Sequence, residues 1–279
     1  FFPYYYNDNN QQLIVKLNSS NGELTNIVNN VFNDTSETLV VEVDNNNSIY
    51  IGARSNTNSN HSSLAKYDSN LNLLWEILVA DNTSANNPAY VYDIEYDPIN
   101  DLLYVIGAAR DANVNPLGSS ISVTNNANYG TYFAAYNTSG ILQFANGFET
   151  DIYSGVYGWE SKLEIFNNKL IFRSEFTGYV DFDMTDDIFY TPLTGIGSGR
   201  FLSIYDLTGG MNLTGHYYET SGQISYKERD IHYANEVIKV ASHSNDIYVN
   251  DYDLSYWIQT PFTTNVNTFN TSYSVGGGV

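Results

Sequence analysis

Short apolar runs rich in Val, Ile, Leu, Tyr and Phe alternate along this chain with clusters of Asn, Asp, Ser and Gly. The clearest stretch covers residues 64–75. Residues 64–67 and 73–79 read as two strands, with Asp68-Ser69-Asn70 as the turn between them. β-Branched and aromatic residues favour extended backbone, and short polar residues bend it. The same pattern returns at residues 133–144, through Tyr136-Asn137-Thr138-Ser139-Gly140, and at 201–213, through Tyr205-Asp206-Leu207-Thr208-Gly209. A shorter copy covers residues 15–24. Tyr67, Tyr136 and Tyr205 are equally spaced, which marks an internal repeat.

Each copy is preceded by another hairpin, so the unit has four strands. In the first unit they fall at residues 38–44, 48–55, 62–68 and 73–80. In the second they fall at 90–97, 102–111, 131–137 and 142–150, and in the third at 160–166, 169–177, 200–206 and 211–219. Residues 237–242 and 246–252 open a fourth unit as its first and second strands. The polar stretch 112–130 is a loop or loose hairpin between the second and third strands of its unit. Repeated four-stranded antiparallel units predict an all-β fold, a β-propeller of about five blades in a single domain over residues 1–279. Strands apolar on both parities fit sheets covered on both faces. The N-terminal pair, residues 13–18 and 23–32, is expected to join the last blade and close the ring. Outside this pattern lie an aromatic N-terminal segment, 1–12, and an Asn/Thr/Gly-rich C-terminal segment, 260–279.

A net charge of −20 repels a phosphate backbone and argues against nucleic-acid binding. Cysteine is absent, so there is no disulfide framework. No apolar run approaches the roughly 20 residues of a membrane-spanning helix. The chain opens on Phe1 rather than Met and reads as a processed form or part of something longer.

Several segments resemble the extracellular β-propeller-repeat proteins of the Bacteroidetes, of the SBBP type, associated with type IX secretion. They are Ser48-Ile49-Tyr50-Ile51-Gly52, Leu103-Tyr104-Val105-Ile106-Gly107, Asp246-Ile247-Tyr248-Val249, Phe176-Thr177-Gly178-Tyr179-Val180-Asp181-Phe182-Asp183, and Lys66-Tyr67-Asp68 with Trp75. The likeness covers most of residues 13–258. Tyr136 lacks the preceding Lys, Asp97-Pro98 replaces an Asp-Gly turn, and the last unit is degenerate. The resemblance implies a secreted or cell-surface protein of a Gram-negative bacterium, with no catalytic residues among the motif positions.

Aligning the first strands places Glu42, Glu95, Glu164 and Lys239 at one repeat position, where they would line a central channel. Such a channel binds a cation or is a solvated wall. Asp181, Asp183, Asp186 and Asp187 form the densest carboxylate cluster. It is a calcium candidate, although the EF-hand order is missing and the family motif explains it as a strand end. No cofactor is expected otherwise. The four histidines lack zinc spacing, and no nucleophile elbow occurs. Phe1, Phe2, Tyr4, Tyr5, Tyr6, Trp159, Tyr256 and Trp257 are candidates for a binding surface, since exposed aromatics anchor proteins and sugar rings. The expected role is non-catalytic: a module that binds a protein or a glycan, using the loops at 112–130 and 184–199. The alternatives are an accessory subunit on an outer-membrane secretion or uptake complex, and a polysaccharide-degrading enzyme using channel carboxylates.

Overall fold

The computed structural model describes residues 2–6, 11–29, 37–54, 61–82, 89–108, 112–115, 121–123, 131–148, 155–178, 180–183, 198–207, 212–220, 227–234, 237–243 and 247–253. Every regular element among them is a strand, and every pairing is antiparallel. The first sheet contains β1 (Phe2–Tyr6), β2 (Gln11–Leu17) and β3 (Leu24–Asn29). The second is built on β4 (Glu37–Val43), β5 (Ile49–Arg54), β6 (His61–Tyr67) and β7 (Leu73–Asn82). The third begins with β8 (Tyr90–Asp97) and β9 (Leu102–Ala108). The chain then makes a small hairpin, β10 (Ala112–Val114) and β11 (Ile121–Val123), before β12 (Thr131–Asn137) and β13 (Leu142–Gly147) complete that sheet. The fourth holds β14 (Gly155–Phe166), β15 (Lys169–Thr177), β16 (Ser198–Asp206) and β17 (Asn212–Thr220). The fifth holds β18 (Lys227–Ala234), β19 (Val237–His243) and β20 (Ile247–Asp253). The leading strands β4, β8, β14 and β18 follow one another in that order, and β1 lies beside β4.

Face-to-face packing of successive sheets explains the double parity of the apolar residues. In β9, Leu103 and Val105 face the second sheet, while Tyr104 and Ile106 face the fourth. In β12, Tyr132, Ala134 and Tyr136 point one way, and Phe133 and Ala135 the other. Successive strand residues point to opposite faces, so a sheet sandwiched between two others buries every position. Between the third and fourth sheets the core is aromatic. Phe148, Phe172, Phe176, Phe182 and Phe201 touch one another, the closest ring pair being Phe182–Phe201 at 4.4 Å.

A recurring Asp or Asn closes three of the described hairpins. Asp68 Oδ1 accepts the N–H groups of Asn70 and Asn72, both at 2.8 Å. Asn137 Oδ1 does the same for Ser139 and Ile141, and Asp44 Oδ1 for Asn46 and Ser48. A side-chain oxygen thus takes up N–H groups that the strand ladder leaves over. The turns need a left-handed residue, supplied by Asn47 (φ 60°), Gly140 (φ 81°) and, unusually, Leu71 (φ 68°). A leucine there costs about 1 kcal/mol. Its side chain is buried beside Ile14 and Tyr67 in the core between the first and second sheets, which offsets that cost by roughly 2 kcal/mol.

The lysine of the Lys-Tyr-Asp motif is a latch between sheets. Lys66 Nζ donates to Thr138 O (3.0 Å), in the corresponding turn of the next sheet. Lys16, at the equivalent position of the first sheet, donates to Ser69 O (2.5 Å), one residue past Asp68 as Thr138 is one past Asn137. The third sheet has Ala135 at this position. The residue it would meet in the fourth is Leu207, which packs against the apolar core containing Ala135. Lys66 is half-buried, lies over the Tyr50 ring at 5.0 Å, and sits 3.9 Å from Asp44. Lys66→Met should therefore lower stability by about 2 kcal/mol. Lys16→Met at the more open first latch should cost under about 1 kcal/mol. Chemical denaturation of both variants checks this ordering.

The structure departs from the sequence reading in three places. β18 is an additional leading strand, so residues 237–243 form the second strand of the fifth sheet and residues 247–253 the third. Lys227–Ala234 was missed because its charged residues, Lys227, Glu228, Arg229 and Asp230, hide the alternation. The aromatic N-terminus is a strand: β1 pairs with β2 from Phe2↔Val15 to Tyr6↔Gln11. Among the described residues, β2 and β3 hydrogen-bond within their own sheet with β1, and β18–β20 form a separate three-stranded sheet. Finally, the polar stretch after β9 contains a hairpin, one of the two expected forms, but it docks elsewhere: β10 adds to the outer edge of β7 in the preceding sheet, with Val114 buried in the core and Asn115 N–H donating to Val79 O at 2.7 Å.

Candidate functional site

Two features stand out from this scaffold: buried carboxylates on the leading strands, and one rim. The leading strands are the inner edges of their sheets, so half of their N–H groups lack a ladder partner. Glutamates at one repeat position take some of them up. Glu42 on β4 accepts the Tyr96 N–H of β8. Glu95 Oε1 on β8 accepts the Ile165 N–H of β14 in a long contact of 3.4 Å. Tyr96 follows Glu95 and Ile165 follows Glu164, so the stitch repeats with the sheets. Asp93, two residues before Glu95, is buried. Its Oδ2 accepts the Leu163 N–H at 2.8 Å and its Oδ1 is 3.3 Å from Lys162 Nζ.

The structure thus brings Glu42, Glu95 and Glu164 together, as their alignment predicts, and adds Asp93 and Lys162. Asp93 shares a strand face with Glu95, whereas Lys162 was missed because its repeat position carries different residues in the other sheets. Lys239 does not belong to this set: it lies on β19, opposite His232 of β18, rather than on a leading strand. Burial, reinforced by Asp93, pushes the Glu42 carboxyl up to about 7. Burial, reinforced by Glu42, Glu164 and Asp93, pushes Glu95 up to about 9. Asp93 is also raised by burial, against the pull of Lys162 and the Leu163 N–H. Glu95 therefore holds its proton at neutrality, and the accepted N–H groups fasten adjacent sheets.

The other candidates divide. Asp181 is buried and its Oδ1 accepts the Asp183 N–H at 3.0 Å, while Phe182 joins the aromatic core and its carbonyl accepts the Tyr205 hydroxyl at 2.9 Å. These two aspartates close a strand end. Asp186 and Asp187 lie outside the described residues, and among those described no group of three or more His, Asp or Glu could hold a metal. Phe2, Tyr4, Tyr5 and Tyr6 lie on β1, and Trp159 on β14. Phe1, Tyr256, Trp257 and the stretch 184–197 lie outside the described residues. Among the described residues no helix is long and apolar enough to cross a membrane.

The rim is where the turns of successive sheets meet. Thr138 Oγ1 donates to Asp101 Oδ2 (2.8 Å), which places the β8–β9 and β12–β13 turns side by side. The Lys66 latch joins the latter to the β6–β7 turn, and the Lys16 latch joins that turn to the β2–β3 hairpin. On these adjoining turns Leu24 (57%), Leu73 (49%), Leu74 (53%), Ile99 (65%) and Ile141 (61%) are exposed. These aliphatic side chains give this rim an apolar character. Of the two loops where the sequence reading expects binding, 112–130 lies at the opposite end of the same strands and 184–197 lies outside the described residues.

No protein-family model and no curated protein matches the chain. Among solved structures it is similar to the β-propeller domain of the Trilobed protease from Pyrococcus furiosus, which has an open velcro topology. The identity is 10%, over 90% of this chain and 77% of that one, with a TM-score of 0.44.

Proposed function

We propose that this protein is a non-catalytic β-propeller of about five blades, working as a protein-binding or scaffold module outside the cell or at the surface of a Gram-negative bacterium. The observation that carries this reading is the row of exposed aliphatic side chains along one rim. The recurring Asp, Asn, Lys and Glu are engaged within turns or between sheets, so the repeat builds the scaffold and the exposed positions do the recognising. Leu and Ile suit a protein partner better than a glycan, because sugar rings stack on flat aromatic faces. An accessory subunit of an outer-membrane complex would use the same surface permanently. The test is affinity purification of the tagged protein from its native membranes. A stoichiometric partner supports the reading, and a membrane complex that survives purification selects the subunit form. A monodisperse protein that retains no partner contradicts both.

One observation favours an enzyme instead: raised carboxyl pKa values gather at catalytic sites. Here Glu42, Glu95 and Asp93 accept backbone N–H groups of the next strand, which accounts for their positions without a substrate. No turnover is expected across a broad polysaccharide panel. Turnover by the wild type that disappears in Glu95→Gln and Glu164→Gln would establish the enzyme.

A further inference from the structure

We infer that the rim formed by the β2–β3, β6–β7, β8–β9 and β12–β13 turns docks a protein segment carrying aliphatic anchors flanked by Lys or Arg; this rests on the binding-module reading and names its partner. The anchors on this side are Leu24, Leu73, Leu74, Ile99 and Ile141. They are spread over three adjoining sheets, so the segment must be long enough to cross from one turn to the next.

The charge of the partner follows from what surrounds those side chains. Glu23 and Asp101 are exposed and Asp68 is half-exposed. Three N–H donors from its own turn, two from the backbone and one from the Asn72 side chain, hold the Asp68 carboxyl below its ordinary pKa, so it is ionised at neutral pH. The lysines of the same turns are turned inward: Lys16 and Lys66 are half-buried and donate to Ser69 O and Thr138 O. The rim therefore offers apolar anchors within negative charge, on a chain of net charge −20. A basic-flanked apolar segment meets both features, and its charges would speed encounter more than they tighten the complex. A second copy of the chain would press Glu23, Asp68 and Asp101 against their own equivalents, and an anionic lipid surface would be repelled by the whole molecule.

The test is selection of short random peptides, displayed on phage, against the immobilised full chain, followed by affinity measurement of the synthetic consensus peptide. The expected consensus pairs Leu, Ile, Val or Met with flanking Lys or Arg. Leu73→Glu and Ile141→Glu should each weaken the peptide by about tenfold or more. Both sites are exposed, so these changes should leave the melting temperature within about 2 °C of the wild type. Glu23→Gln should reduce the salt dependence of binding. Peptides that bind equally well to Leu73→Glu and Ile141→Glu would overturn the rim assignment while leaving a binding module. An acidic consensus, or self-association lost in the same variants, would overturn the stated partner. Failure to select any peptide, together with no partner from native membranes, would remove the binding-module reading itself.

Discussion

Gly107→Ala is expected to abolish folding, or to cost at least about 3 kcal/mol. A Cβ at this position would lie 2.1 Å from Tyr90 O and 2.3 Å from both Cζ and Oη of Tyr132. Gly107 pairs with Val91 on one side and with Tyr132 on the other, so it sits mid-sheet with no room to shift along the strand. The tyrosine ring that crosses it is fixed by its hydroxyl, which donates to Tyr90 O (2.9 Å) and lies 3.0 Å from Ser62 Oγ of the neighbouring sheet. All three groups are buried. Shortening the ring would not create space, because the nearest atom is a backbone carbonyl. Gly107→Ala/Tyr132→Ala should therefore stay as unstable as Gly107→Ala. Gly52, the same motif glycine one sheet earlier, behaves differently. There a Cβ meets the side-chain atoms Val91 Cγ1 (2.4 Å) and Val40 Cγ1 (2.8 Å). Gly52→Ala should cost about 1–3 kcal/mol, and Val91→Ala should recover part of it. Denaturant melts of the two single and two double variants decide the matter. A recovered Gly107→Ala/Tyr132→Ala would show that the ring, and not the carbonyl, sets the limit.

The second large effect is a loss of stability on the alkaline side, relieved by Glu95→Gln. In the unfolded chain Glu42 and Glu95 release their protons near the ordinary 4.5, and in the folded protein only near about 7 and about 9. Between those values the folded state binds more protons than the unfolded state, so stability falls as pH rises. Below 4.5 both states are protonated and the contribution is fully present. It is lost progressively up to the folded values. Asp44 and Asp68 act in the opposite sense. Their carboxyls sit below the ordinary 3.8, Asp44 through the N–H groups of Ser48 and Asn46 and the Tyr50 hydroxyl, and Asp68 through Asn72 and Asn70. Their stabilisation is present above 3.8 and disappears as pH falls through their folded values. The melting temperature should peak in mildly acidic solution and decline towards pH ~9. Glu95→Gln keeps an acceptor for the Ile165 N–H and removes the charge that must be buried. At pH ~8 it should melt about 5 °C above the wild type, the two profiles converging below pH ~5. Parallel profiles across that range would mean that Glu95 is ionised in the folded protein at neutral pH.

Local chemistry decided much of this molecule. The strands at residues 38–44, 90–97, 131–137 and 169–177 agree with the structure to within a residue or two, because alternation, β-branching and Asx turns act over short distances. The glutamates at one repeat position are neighbours because the repeat itself places them so. β18 was not legible, since its pairing with β19 outweighs a charged composition that disfavours strands. The docking of the hairpin after β9 was not legible either, since the edge of β7 that it covers belongs to another repeat.

The chain by itself determined the strand–turn order, the all-β class and the acidic, cysteine-free composition. Only tertiary structure decided which residues are buried between sheets and which stay in solvent. Glu95 and Ile99 are both plausible surface residues in one dimension. The stacking of the sheets drives the first against Glu42 and Glu164 and raises its proton affinity, and leaves the second in solvent on the rim. Burial, and the energy of a charge within it, are properties of the packed sheets and not of any segment of chain.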